Sequence, residues 1–167
     1  TTAEFDDTAW LSGSVPVGFD RKEPATYSTL VATAIGAAMF DMNASVFMRA
    51  TFDLVDPTAL TALVLRLRYE DGLILHLNGQ EVLRRNSSGS FFNSSAQRPR
   101  LEGEALSPEI IDLSSSLDHL QSGTNVLAIQ GLYRRADDLD FLLWPELEAL
   151  TVMDHTSVRG YFYPPTP

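Results

Sequence analysis

Two arginine-bearing stretches hold the side chains best suited to recognition chemistry. Residues 85–100 contain Phe91, Phe92, Asn93, Gln97, Arg98 and Arg100, and residues 133–138 read Tyr133-Arg134-Arg135-Ala136-Asp137-Asp138. Guanidinium, carboxylate and aromatic ring together are what a sugar asks of a site. Pyranose CH faces stack on Trp or Tyr, while the hydroxyl rim both donates and accepts hydrogen bonds. Arg98, Arg100, Arg134 and Arg135 belong to a set of only 12 cations beside 22 acids. If the two stretches meet, they make a local positive patch suited to carboxylated or sulfated sugars. Trp10, near a glycine-rich N-terminal segment, is a third candidate contact. The same residues also have a structural reading. Phe91 and Phe92 can cover one end of a core, and Arg134 and Arg135 can pair with Asp137, Asp138 and Asp140.

Catalysis has no comparable support. The histidines His76, His119 and His155 share no metal-ligand spacing, and neither a Gly-x-Ser-x-Gly elbow nor a phosphate-cradling glycine loop is present. Acid pairs such as Asp6-Asp7 and Asp137-Asp138 are adjacent in sequence, which does not set two carboxylates about 5–9 Å apart across a glycosidic bond. No nucleophile, base and orienting group can be assembled, so the expectation is a protein that is not an enzyme.

Composition narrows the partners. A length of 167 residues with 44% hydrophobic content allows one domain with a sizeable core. The net charge of -10 repels phosphate backbones and anionic headgroups, so nucleic acid and membrane are not expected partners. No apolar run approaches the roughly 20 residues of a membrane-spanning helix. Cysteine is absent, which excludes disulfides and thiol chemistry and leaves the compartment open. The chain begins at Thr1 rather than Met, which suggests an excised or processed segment.

The elements that must position these loops read as strands. Residues 46–54 alternate, with Val46, Met48, Ala50, Phe52 and Leu54 on one face and Arg49, Thr51 and Asp53 on the other. Residues 63–69 repeat the pattern and turn Arg66 and Arg68 outward. Asp71-Gly72 and Asn78-Gly79 supply turn chemistry between alternating runs, which predicts a β-meander through residues 81–85. Residues 86–108 read as a long loop, 110–113 as a short strand and 114–120 as one helical turn. Residues 125–133 are apolar on both faces, as in a central strand; 134–140 form a charged loop; 141–150 form a last strand in which Trp144 faces the core and Pro145 marks a bulge or an edge. Earlier, Trp10, Val15, Val17 and Phe19 suggest short strands, and residues 32–39 are apolar but glycine-broken. The sum is an all-β sandwich of jelly-roll type over residues 1–150, then a proline-rich linker over 151–167 ending Tyr161-Phe162-Tyr163-Pro164-Pro165-Thr166-Pro167.

Two phrases carry a resemblance. Asp71-Gly72 followed by Leu77-Asn78-Gly79-Gln80-Glu81-Val82, and Asp112-Leu113, Leu120, Gly123 then Asn125-Val126-Leu127-Ala128-Ile129, resemble the galactose-binding-domain-like jelly roll, including the sugar-binding domain of family 2 glycoside hydrolases. Trp10, Val17-Gly18-Phe19, Arg49-Ala50-Thr51-Phe52, Arg84-Arg85-Asn86 and Asp140-Phe141 extend the likeness to sandwich domains of large secreted bacterial proteins that also carry lamin-tail and spore-coat-kinase-like domains. The chain departs from that pattern at Leu132-Tyr133-Arg134, where such relatives carry a histidine-asparagine pair. The resemblance implies an extracellular or cell-surface accessory domain. It further implies a non-catalytic carbohydrate-binding module whose partners are a polysaccharide or oligosaccharide and neighbouring domains of its own chain. A structural calcium ion is also implied, for which Glu4, Asp6 and Asp7 are candidate ligands. Because the shared residues are turn formers and core positions, a spacer or protein-interaction domain without a sugar site remains the alternative.

Overall fold

A computed structural model describes residues 4–87, 89 and 95–151. Its strands are β1 (Val17–Asp20), β2 (Thr33–Ala34), β3 (Ser45–Leu54), β4 (Leu60–Tyr69), β5 (Gly72–Leu77), β6 (Gln80–Arg85), β7 (Glu109–Asp112), β8 (Gly123–Leu132) and β9 (Asp140–Thr151), and a short helix, α1 (Gly36–Met39), lies between β2 and β3. They form two sheets ordered β2-β1-β9-β4-β7 and β3-β8-β5-β6. Apart from the short parallel contact of β1 with β2, every pairing is antiparallel. The fold is an all-β sandwich, as the strand patterning predicts.

Alternation decides which side chains meet between the sheets. Leu63, Leu65, Leu67 and Tyr69 of β4, with Phe141 and Leu143 of β9 in the same sheet, face Leu73, Leu75 and Leu77 of β5 and Leu127 and Ile129 of β8. Each such leucine, fully buried, contributes about 1.5–3 kcal/mol of transfer free energy. The outward set behaves as predicted at Arg66, which pairs with Glu148 across the β4–β9 ladder at 3.2 Å.

The two phrases singled out in the sequence join each other. Asn78 Nδ2 donates to Asn125 Oδ1 at 2.7 Å and to His119 O at 2.8 Å, while Asn78 Oδ1 accepts from Val126 N at 2.7 Å. Asn78 and Gly79 adopt φ of 49° and 88°, the left-handed pair that a two-residue hairpin needs.

Three expectations are corrected. Asp71-Gly72 is not a hairpin turn, because β4 and β5 belong to different sheets and the chain crosses the sandwich there. The predicted loop over 86–108 contains a short helix, α2 (Glu102–Leu106), which buries Ala105 against Tyr27 and Leu142 on the outer face of the five-stranded sheet. Trp144 is only partly buried. It alternates with the core residues Phe141 and Leu143, so its ring lies on the outer face, with the Arg68 guanidinium 4.4 Å from its centroid. Pro145 sits just beyond Leu143, where β9 stops pairing with β1, so an edge position is what it occupies on that side.

Candidate binding site at the crossover

The crossing from β4 to β5 places Asp71 beneath two loops at one end of the sandwich. It is 3% exposed, and its backbone N–H donates to Leu132 O at 3.0 Å, fixing it beside the end of β8. Its carboxylate divides between the loops: Oδ1 accepts from Arg100 N at 2.7 Å and Oδ2 from Arg134 N at 2.9 Å. Around this clamp, Ala96 N donates to Tyr133 O, Gln97 N donates to Asn86 O, and Asn86 Nδ2 donates to both Asp71 O and Arg98 O. The two arginine-bearing stretches therefore meet. Burial pushes the Asp71 pKa up despite the two backbone donors that favour its charge.

The candidate residues divide sharply in what they can still do. Arg98 and Arg134 are exposed, and the Arg134 guanidinium lies near enough to Asp71 to favour its charge. Arg100 is already committed, its guanidinium 3.9 Å from the Tyr69 ring centroid and its Nη1 donating to Tyr69 O at 3.0 Å. Arg135 forms an exposed two-bond pair with Asp137, at 2.9 and 2.6 Å, and Asp138 Oδ2 accepts from Arg135 N at 3.1 Å. Tyr133 is a correction. It is fully buried, edge-on to Phe19 and Phe141, because it continues the inward face of β8 beyond Ile129. The Tyr133 ring is therefore not available to stack on a sugar, and Phe91 and Phe92 lie outside the described residues.

Behind the clamp lies a buried polar cluster that the sequence reading did not pick out. Glu70 is 6% exposed, and burial raises its pKa to about 8, with Asp140 and Asp71 adding to the shift and Tyr27 and Lys22 opposing it. Neither Glu70 Oε2 nor Tyr27 Oη has a well-formed hydrogen bond, although the phenol lies close enough to act on Glu70 as a donor. Lys22, the chain's single lysine, sets its Nζ 2.7 Å from both Asp140 Oδ2 and Glu102 Oε1. Burial works against its charge, but the two carboxylates outweigh that and raise its pKa above the ordinary lysine value. The register signal was available in outline, since Asp20 pairs with Asp140 across β1 and β9 and Lys22 follows two residues later.

Trp10 and the N-terminal acids lie elsewhere. Trp10 is 39% exposed, packs edge-on to Phe5 at 5.5 Å, and lines an apolar cleft of about 730 Å³ with Val15, Ile35, Met48 and Phe52. None of Asp71, Arg98 or Arg134 borders that cleft. Glu4 is exposed, Asp6 accepts from Thr8 N and Oγ1, and Asp7 pairs with Arg49. These residues do not fit a calcium site: among the described residues no group of three or more His, Cys, Asp or Glu is arranged to hold a metal.

No family model matches the chain, and no curated protein matches it. Among solved structures, an α-L-rhamnosidase of Streptomyces avermitilis complexed with L-rhamnose is similar at 23% identity and a TM-score of 0.45. The match covers 65% of this chain and 9% of that one, and a likeness so slight carries no argument.

Proposed function

We propose that this sandwich is a non-catalytic, extracellular carbohydrate-binding module that recognises an acidic polysaccharide at the crossover end through Arg98 and Arg134. One observation carries the reading: the Asp71 carboxylate holds the backbones of Arg100 and Arg134 at 2.7 and 2.9 Å, gathering both arginine-bearing loops while leaving two guanidiniums exposed. In a chain of net charge -10, exposed arginines held together on a rigid frame suit planar carboxylates or sulfates. Recognition here relies on charge and hydrogen bonding rather than ring stacking, because Tyr133 is buried. Binding of this kind acts by concentrating neighbouring domains at a polymer, so modest affinity suffices.

A spacer or protein-interaction domain is the second reading, favoured by how fully Arg100 and Arg135 are spent on local partners. Affinity gel electrophoresis against neutral, uronic and sulfated polysaccharides separates the two. Retardation by an acidic polymer, lost in Arg98→Ala and Arg134→Ala, supports the binding module. Free migration through every gel supports the spacer.

A further inference from the structure

β3 stands at the edge of its sheet. It pairs with β8 along its whole length of ten residues, and among the described residues no strand pairs with its other side. The remaining edge strands are shorter: β6 has six residues, β7 four and β2 two. Long edges offer unpaired backbone donors and acceptors to any second strand, and are ordinarily blunted by a proline or a bulge. β3 has neither. It reads Ser45-Val46-Phe47-Met48-Arg49-Ala50-Thr51-Phe52-Asp53-Leu54 and keeps an unshifted register against β8. Ala50, Thr51 and Asp53 are exposed, as are Phe47 at 41% and, just past the strand, Val55 at 94%.

We propose that β3 pairs antiparallel with β3 of a second copy of this chain about a two-fold axis at Thr51, joining two four-stranded sheets into one of eight. The strand is self-complementary about that residue. Positions equally distant from Thr51 stand opposite each other on the same face, because side chains alternate with a period of two. On the outer face Thr51 meets itself, Arg49 meets Asp53, and Phe47 meets Val55. On the inner face Ala50 meets Phe52 and Met48 meets Leu54. Threonine pairs, opposite charges, and an aromatic ring against a β-branched side chain are the cross-strand pairs that stabilise an antiparallel ladder. The two-fold makes every off-axis pair occur twice. An axis one residue away loses the match: at Ala50, Phe47 meets Asp53, and at Phe52, Arg49 meets Val55. Within its own chain Arg49 pairs with Asp7, and a guanidinium with five donors can serve two carboxylates. Thr51 lies six residues along β3 from Ser45, the end beside Leu132, so the contact is centred about 20 Å from the crossover and leaves that end open.

The test is sedimentation equilibrium of the chain from about 1 μM to about 1 mM, the range in which a small interface declares itself. The wild type is expected to pass from monomer to dimer and to stop there, because a two-fold contact closes on itself. Thr51→Lys sets two ammoniums against each other on the axis, and Thr51→Glu sets two carboxylates there. Each variant alone is expected to dimerise about tenfold more weakly or worse, the lysine variant even though its added cation lessens the repulsion between two chains of net charge -10. An equal mixture of the two is expected to recover the dimer, since lysine then meets glutamate. A wild type that stays monomeric at every concentration overturns the proposal, as does one that grows past the dimer. A lysine variant that dimerises as tightly as the wild type also overturns it, and so does a mixture that fails to pair. Circular dichroism checks that each variant folds. Should a Thr51 variant not fold, Val55→Glu changes an exposed position outside the strand and is expected to weaken the dimer by setting a carboxylate against Phe47; an unchanged dimer would overturn the pairing.

Discussion

Glu70 and Asp71, adjacent at the crossover, answer burial in different ways. Asp71 finds two backbone donors, whereas Glu70 faces Tyr27, Lys22, Asp71 and Asp140 without a well-formed bond at Oε2, and its pKa rises to about 8. The unfolded chain titrates this group near its ordinary value of 4.5, so the folded form holds the proton more tightly. Its contribution to stability is therefore full below about pH 4.5, is lost as pH rises to about 8, and is level beyond. Glu70→Gln should match the wild type near pH 4.5 and unfold several degrees higher at pH 8.5, a gain of a few kcal/mol at most. Equal offsets at both pH values would mean that Glu70 does not titrate in this window. Asp71→Ala should cost about 2 kcal/mol and speed hydrogen exchange at the Arg100 and Arg134 amides together, because one carboxylate serves both. Unchanged exchange at either amide would contradict the clamp. The Asp71-Gly72 dipeptide was legible as a turn former, but nothing local to it tells which sheet the next strand joins. Tyr133 is a different kind of miss: counting in twos from Leu127 and Ile129 puts it on the core face, so the residue was readable and only its loop neighbours suggested otherwise.

At the scale of elements, the strands from β3 to β9 were mostly legible because their leucines alternate with polar residues or run apolar on both faces. What escaped was α2, five residues long with one buried side chain, too short for a helical period to appear. The long-range joints escaped too. Asn78 closes its own hairpin turn and also ties it to β8 through Asn125 and Val126. Asn78→Ala is expected to cost about 3 kcal/mol in chemical denaturation, combining lost hydrogen bonds with a left-handed φ that alanine adopts poorly. A loss below about 1 kcal/mol would show the bonds to be replaceable by water. Gly18 marks a second joint, since a Cβ there would stand 2.1 Å from Phe141 O of the neighbouring strand. Gly18→Ala should force β1 away from β9 and lower the unfolding temperature by several degrees; an unshifted midpoint would mean that β1 adjusts freely.

For the molecule as a whole, a net charge of -10 means that any acidic polymer approaches against a repulsive field and binds only through the local pair of arginines. Retardation on an acidic gel should therefore have two salt regimes: added salt first screens the general repulsion, then weakens the contacts with Arg98 and Arg134. A monotonic loss from the lowest salt upward would mean that the overall charge plays no part. The order of the strands has a consequence in time. Ser45 of β3 pairs with Leu132 of β8, and Leu60 of β4 pairs with Thr151 at the end of β9, so the two strands made early have their partners near the far end of the described chain. Such distant pairings close slowly, on the order of milliseconds to seconds, because chain entropy is lost before the contacts repay it. During synthesis, β3 and β4 emerge well before β8 and β9, the strands that pair with them. This sandwich must wait for its last strand before it can shut.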